Sequence, residues 1–238
     1  MSLLVSASKR LGKFTLDVNI TLPGSGIHAV VGPSGSGKST LLRLITGLET
    51  LDRGFIRFQD SVWSDRQTGI HLAPWQRPVG MVFQDLDLFP HLTLLDNVLF
   101  ATTEDSWAEY LMRSLDVWVL RSAKPDQVSG GERQRCAICQ ALARKPRLLL
   151  LDEPFSALDV VTRHSLGKVL VETAARMDIP MVLVTHDLEE AFTLAESILT
   201  LVEGRVSDDW LERRIAEMER DVVKSRELYR MMRDEKRL

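Results

Sequence analysis

Two periodicities divide the chain. Apolar and polar residues alternate in "FTLDVNITL" (14–22) and "GFIRF" (54–58), the period-2 pattern of half-buried strands. Three shorter stretches are apolar throughout: "GIHAVVG" (26–32), "RLLLLDE" (147–153) and "IPMVLVTHD" (179–187). Each suits a strand buried on both faces, and each runs into glycine or a polar turn. After the first, "STLLRLITGL" (39–48) sets Leu41, Leu44, Ile45 and Leu48 on one helical face. Apolar strands feeding loops and helices predict an α/β domain with a mainly parallel core sheet and an N-terminal β portion.

Between Gln84 and Ser129 tryptophans, leucines and acidic residues recur without a strand-like run. This texture predicts a helical lobe, roughly 86–140, inserted into the sheet domain. "WSDRQTGIHLAPWQRP" (63–78) has no periodicity, contains Gly69, Pro74 and Pro78, and predicts a loop. The sheet domain is expected to span 1–206, followed by a charged helical tail over 207–238. In that tail Leu211, Ile215, Met218, Val222, Ser225, Tyr229 and Met232 form a heptad stripe with one polar break. The stripe could lie on its own domain, or pair with a second copy or another protein.

Composition narrows the partners. The 238 residues carry a formal charge of -3, without the basic excess of a general nucleic-acid binder. The tail balances nine acidic against nine basic residues, so it is no polybasic membrane anchor. "MSLLVSASKR" lacks the apolar segment of a secretory signal, and no run approaches the ~18 apolar residues of a membrane span. A membrane role is therefore expected only through a partner. Cys136 and Cys139 form C-x-x-C without further metal ligands at sensible spacing. They read as two small apolar residues one turn apart on a helix.

Chemistry enters at "GPSGSGKS" (32–39), which fits G-x-x-x-x-G-K-[ST] between an apolar strand and a helix. Gly32, Pro33, Ser34, Gly35, Ser36 and Gly37 can turn backbone N–H groups around phosphates, and Thr40 follows in the opening helix. Lys38 is expected at the β- and γ-phosphates and Ser39 at Mg²⁺. Asp152 ends an apolar strand where it can join the Mg²⁺ shell, and Glu153 can orient or deprotonate the attacking water. His186 ends another apolar strand within reach of this cluster, beside a helix cap at Asp187. Ser129 and Glu132 fit the S-x-x-E capping box, so Gly130 and Gly131 open a second helix with uncovered N–H groups.

"GPSGSGKST", "VFQD", "VSGGERQR", "LLLLDEPFSALD" and "VTHD", in this order and spacing, resemble the ATP-binding subunits of ABC transporters. The resemblance covers about residues 1–206 and implies a P-loop NTPase fold of the ABC type binding ATP and Mg²⁺. It implies a head-to-tail homodimer in which Ser129, Gly130, Gly131 and Glu132 of one copy complete the site built by the other copy's P-loop. Gln84 is implied to sense Mg²⁺ and water, and Asp159 to lie across the dimer interface. Separate membrane permease subunits are implied to dock near "QDLDLFPHLTLLDN" (84–97), with a solute-binding protein acting indirectly. The location implied is the cytoplasmic face of the cell membrane, peripheral through the permease.

"LPGSGIHAVVGPSG", "GIHLAPWQRPVGMVFQDLDLFPH" and "HDLEEAFTLAE" are similar to the ATPases of bacterial molybdate/tungstate importers. Many of those carry a C-terminal oxyanion-binding β domain, where this chain has the heptad helix. Relatives often stack an aromatic residue on adenine. Here "KRLGKF" offers Leu11, leaving Phe14 as the substitute or the stacking weak. The signature has Val128 and Glu132 in place of the commoner Leu and Gln, and Glu132 is expected to fold back as the capping carboxylate. Gln140 stands where an Arg is usual. The competing expectation is an ABC-type ATPase driving another membrane-associated or non-transport machine.

Overall fold

The computed structural model describes residues 2–85, 88–156 and 158–220. Strands β1 (Ser2–Arg10) and β2 (Thr15–Pro23) form a hairpin paired over its whole length, and β3 (Ile27–Val31) leads into α1 (Lys38–Thr46). Strands β4 (Arg53–Phe58), β5 (Ser61–Asp65) and β6 (Ile70–His71) precede β7 (Val79–Val82). Helices α2 (Leu94–Leu99), α3 (Asp105–Ser114) and α4 (Gly130–Ala143) then separate β7 from β8 (Leu148–Asp152). The chain continues through α5 (Val160–Met177), β9 (Met181–Thr185), α6 (Leu188–Leu194), β10 (Ser197–Val202) and β11 (Arg205–Val206) to a helix α7 over 208–220.

These strands make two sheets. The antiparallel one has the order β2-β1-β4-β5-β6. The other has the order β11-β10-β3-β9-β8-β7, with β10 through β7 parallel and β11 antiparallel at its edge. The uniformly apolar strands serve two cores at once. Leu148, Leu150, Val182 and Val184 face Leu41, Leu42, Leu44 and Ile45 of α1 and the antiparallel sheet. Leu149, Leu151, Met181 and Leu183 face the opposite way, into a core shared with α2 to α5. Each such leucine, removed from water on either face, contributes about 1.5–3 kcal/mol. Strands β3, β8 and β9 end in register, Val31 opposite Thr185 and Asp152 opposite Val184, so the loops after them emerge at one edge. That is where open α/β sheets bind ligands.

The expected loop over 63–78 is corrected. Trp63 is buried within β5 against Phe58, ring centroids 5.0 Å apart, and the chain turns at 66–69 to pair as β6. A two-residue strand cannot display a period, and the Trp63–Phe58 contact forms across the β4–β5 hairpin, which the local pattern does not mark. Strand β1 has no counterpart in the expectations either, because Leu4 breaks the alternation of its buried Leu3, Val5 and Ala7 with Ser2, Ser6 and Ser8. Helix α7 begins on its own domain, with Trp210 and Leu211 against Ala29, Val31, Leu188 and Ala191. Ile215 is half-buried and Met218 exposed, while Val222, Ser225, Tyr229 and Met232 lie outside the described residues.

Candidate nucleotide site

The loop after β3 can be occupied at its first position only by glycine. Gly32 has φ +152°, and an added Cβ would stand 2.0 Å from the carbonyl oxygen of Leu201 on β10. The chain then turns through 33–37 into α1, whose N-cap Gly37 makes no side-chain cap and whose first turn holds no acidic residue. Its N–H groups are thus open to an anion. Lys38 is 5% exposed, and its Nζ donates to the carbonyls of Gly32 (2.9 Å) and Pro33 (3.0 Å). Burial lowers its pKa, against the nearby Glu153 and Asp152 carboxylates. Within the same loop the Ser36 hydroxyl is buried with no hydrogen-bond partner.

Ser39 Oγ donates to Asp152 Oδ1 at 3.1 Å, which joins the start of α1 to the end of β8. Burial pushes the Asp152 carboxyl up, the Ser39 hydrogen bond opposing it. A buried carboxylate and a hydroxyl side by side are oxygen donors suited to a hard cation. Among the described residues no group of three or more His, Cys, Asp or Glu could hold a metal. Two protein oxygens completed by substrate phosphates and water are the pattern expected of Mg²⁺, so the residues present fit that ion.

A cleft of about 550 Å³ opens above the loop. Ser34, Gly35, Gly37, Lys38, Ser39 and Thr40 line it together with Leu11, Phe14, Gln84 and Glu153. Leu11 and Phe14 both approach the bare Gly37, so the two adenine-side candidates lie together. Glu153 sits in the left-handed region at φ +48°, a conformation costing on the order of 1–3 kcal/mol in a non-glycine residue. Its N–H donates to Val184 O at 2.9 Å, which ties the strained turn to β9. His186 Nδ1 lies 3.3 Å from Glu153 Oε2. Lys38, Ser39, Asp152, Glu153, Gln84 and His186 therefore converge on one edge of the sheet.

Ser129, Gly130, Gly131 and Glu132 do not line this cleft. They form the expected capping box: Ser129 N donates to Glu132 Oε2 at 2.7 Å, and Glu132 N to Ser129 Oγ at 3.3 Å. Those bonds from Ser129 hold the Glu132 carboxyl below its ordinary pKa and fold its charge onto its own helix. Asp159 caps α5, accepting from Val161 N and Thr162 N at 3.0 Å each and from Thr162 Oγ1 at 2.6 Å. The two elements touch: a Cβ on Gly131 would lie 2.5 Å from Thr162 Cγ2. Cys136 and Cys139 are free and buried on α4.

Residues 15–156 match the family described as ABC transporter. The chain belongs to the ABC transporter family. It is 43% identical over 199 residues to "Molybdenum import ATP-binding protein ModC" of Pseudomonas syringae pv. syringae (strain B728a), covering 81% of this chain and 55% of that protein. The protein of the same name from Mannheimia succiniciproducens is 41% identical over 209 residues, covering 87% and 59%. The chain thus spans a little over half the length of these curated relatives. Among solved structures, the ATP-binding cassette MJ0796, a post-hydrolysis dimer bound to ADP and Pi, is similar with a TM-score of 0.73. It is 29% identical, over 87% of this chain and 97% of that one. The ABC ATPase fold expected from the motifs is the fold observed.

Three further residues carry no motif that marks them. Arg163 and Thr162 lie one turn into α5, where nothing in the local pattern distinguishes them from a solvated helix face. Arg77 is 3% exposed, its guanidinium donating to Leu44 O, Ile45 O, Leu72 O, Trp63 O and Ser64 Oγ, so it caps the C-terminus of α1. Its only signal is an arginine beside Pro78 in an otherwise apolar approach to β7.

Proposed function

We propose that the protein is the ATP-hydrolysing subunit of an ABC importer, acting as a head-to-tail homodimer beneath separate permease subunits. The observation that carries the reading is that Lys38, Ser39, Gln84 and Glu153 line one cleft, with Asp152 bonded to Ser39 and His186 beside Glu153, while Ser129–Glu132 stay out of its lining. A capped helix start that misses its own chain's cleft is consistent with completing the site of a second copy. Val160 and Val161, each nearly four-fifths exposed beside Asp159, supply apolar surface for that contact.

In this account Lys38 leaves the Gly32 and Pro33 carbonyls for the β- and γ-phosphates, and the open N–H groups of α1 hold the phosphate oxygens. Ser39, Asp152 and Gln84 would hold Mg²⁺, which when bound would neutralise developing charge on the phosphates. Glu153 orients the attacking water or takes its proton, and His186 fixes the Glu153 carboxylate from Oε2. The uncovered N–H groups of the partner's Gly130 and Gly131 receive the γ-phosphate, with Asp159 beside the interface.

In the same reading the permease docks at a groove of about 490 Å³ between the helices and the parallel sheet. Trp75, 74% exposed, and Phe100, 68% exposed, line it with Phe83 and Phe89, near the expected stretch 84–97. Gln140, which the motifs did not account for, also lines this groove beside Arg144. No helix among the described residues is long and apolar enough to cross a membrane, consistent with peripheral attachment through such a partner. The names of the relatives support molybdenum, as its oxyanion, as the solute; tungstate is isosteric with it, and a binding protein would deliver either.

Phosphate release and ATP binding by wild type, Glu153→Gln and Lys38→Ala test the reading. The expected result is binding with far slower release for Glu153→Gln and lost affinity for Lys38→Ala. Wild-type turnover in Glu153→Gln removes the carboxylate from the reaction.

A further inference from the structure

We infer that Arg163 is a positioning residue that ties the loop carrying Asp159 to His186; this rests on the proposed ATPase reading. Arg163 lies in the first turn of α5, directly after the Asp159 cap. Its Nη2 donates to the carbonyl of Leu158 at 3.4 Å, within the segment next to Asp159. Its Nη1 reaches away from that segment, to Asp187 Oδ2 at 2.9 Å and Glu190 Oε1 at 3.2 Å. One guanidinium therefore spans the interface loop and two of the three carboxylates at the start of α6.

Asp187 and Glu190 in turn hold the residues flanking His186. Asp187 N donates to Thr185 Oγ1 at 3.0 Å, and Thr185 Oγ1 donates to Glu190 Oε2. Asp187 Oδ1 also accepts from Glu189 N at 2.8 Å, fixing the helix start. Thr185 and Asp187 are thereby pinned on either side of His186, whose Nδ1 meets Glu153 at 3.3 Å. Glu190 is 8% exposed, and burying a carboxylate is costly unless it is paired, so Arg163 cannot be removed without consequence for this arrangement. On its other side the same turn of α5 touches Gly131 through Thr162. A second copy pressing on Asp159 or on the Ser129 helix would move the turn that holds Arg163, and with it His186. The guanidinium is planar with a fixed fork of donors, so lysine cannot replace both arms.

The test compares wild type with Arg163→Lys and with Arg163→Met/Glu190→Gln, whose second change removes the buried charge that the first would strand. For both variants kcat for ATP hydrolysis should fall on the order of tenfold to a hundredfold, the range for a misplaced reacting group. ATP affinity and ATP-dependent dimerisation, measured with Glu153→Gln added, should stay within about twofold of the Glu153→Gln parent, the split between chemistry and binding. A purely structural role would lower affinity, dimerisation and melting temperature together, and that outcome overturns the inference. Wild-type kcat in either variant overturns it too. Failure of wild type to hydrolyse ATP at all would instead sink the ATPase reading.

Discussion

Gly131→Ala tests the contact that joins the Ser129 helix to the Asp159 loop. Alanine is favoured over glycine in a helix by up to about 1 kcal/mol, so propensity alone predicts stabilisation. The new Cβ would stand 2.5 Å from Thr162 Cγ2, a contact too short to keep, and 3.7 Å from Leu158 Cδ2, an ordinary one. Thr162 cannot turn away cheaply, because it is β-branched and its Oγ1 donates to Asp159 Oδ2 at 2.6 Å. Overpacking of this kind costs about 1–3 kcal/mol, so the single variant should lose roughly 0–2 kcal/mol net. Thr162→Ser keeps the hydroxyl and removes the obstructing methyl, losing up to about 0.8 kcal/mol of burial. In Gly131→Ala/Thr162→Ser the clash is gone and the propensity gain remains. The two changes should therefore couple favourably by about 1–2 kcal/mol in a double-mutant cycle. Denaturant midpoints for the four proteins at equal m-values supply the numbers. Additivity within about 0.3 kcal/mol would show that the close approach carries no energy.

Arg77→Met should lower the melting temperature by roughly 10 °C, from a net loss of about 3–5 kcal/mol. The lost bonds to five oxygens outweigh relief of the desolvation that pulls this guanidinium down to about 10. Arg77→Lys should recover little of it, and a melting temperature near wild type for either variant would refute the capping role. Cys136, its thiol pushed up to about 12 by burial, and Cys139, pushed up further in direction by complete burial, should not react with a disulfide reagent at neutral pH. Both should react once guanidinium unfolds the chain; rapid labelling of the native protein would contradict that burial. Glu132→Gln should cost up to about 1 kcal/mol at pH 7 through the weakened helix cap. Because the folded-state pKa of Glu132 is lowered, its stabilisation is present above the ordinary carboxylate pKa of roughly 4 and fades as pH falls through the folded value. A wild-type advantage that grows on acidification would reverse the sign and reject the argument.

The parallel core and the nucleotide loop were legible because their causes are local. Val30 and Leu150 need only an apolar run, and Gly32 through Ser39 need only their spacing. The Ser129–Glu132 box was legible for the same reason, since both partners lie within one turn. What escaped depends on pairing and packing that no single stretch of the chain displays. Strand β1 is defined by pairing with β2 and β4, and Leu4 interrupts the alternation of its serines with apolar residues. Trp63 becomes a strand residue because Phe58 and Arg77 surround its ring. Asp159 was assigned from likeness alone, while its hydrogen bonds also make it the cap of α5. Arg163 had no local mark, because Asp187 and Glu190 reach it from 24 and 27 positions away, and only folding brings α5 and α6 together.

The central claim is that one copy's lysine loop and another's Ser129 helix share each nucleotide. Sedimentation of Glu153→Gln at saturating Mg-ATP, with and without Ser129→Arg, tests it most directly. The account predicts a species of twice the protomer mass for Glu153→Gln, reverting to protomers when Ser129→Arg is added while each protomer still binds ATP. Protomers alone in both samples, with wild type hydrolysing ATP at a rate per chain unaffected by dilution, would contradict it.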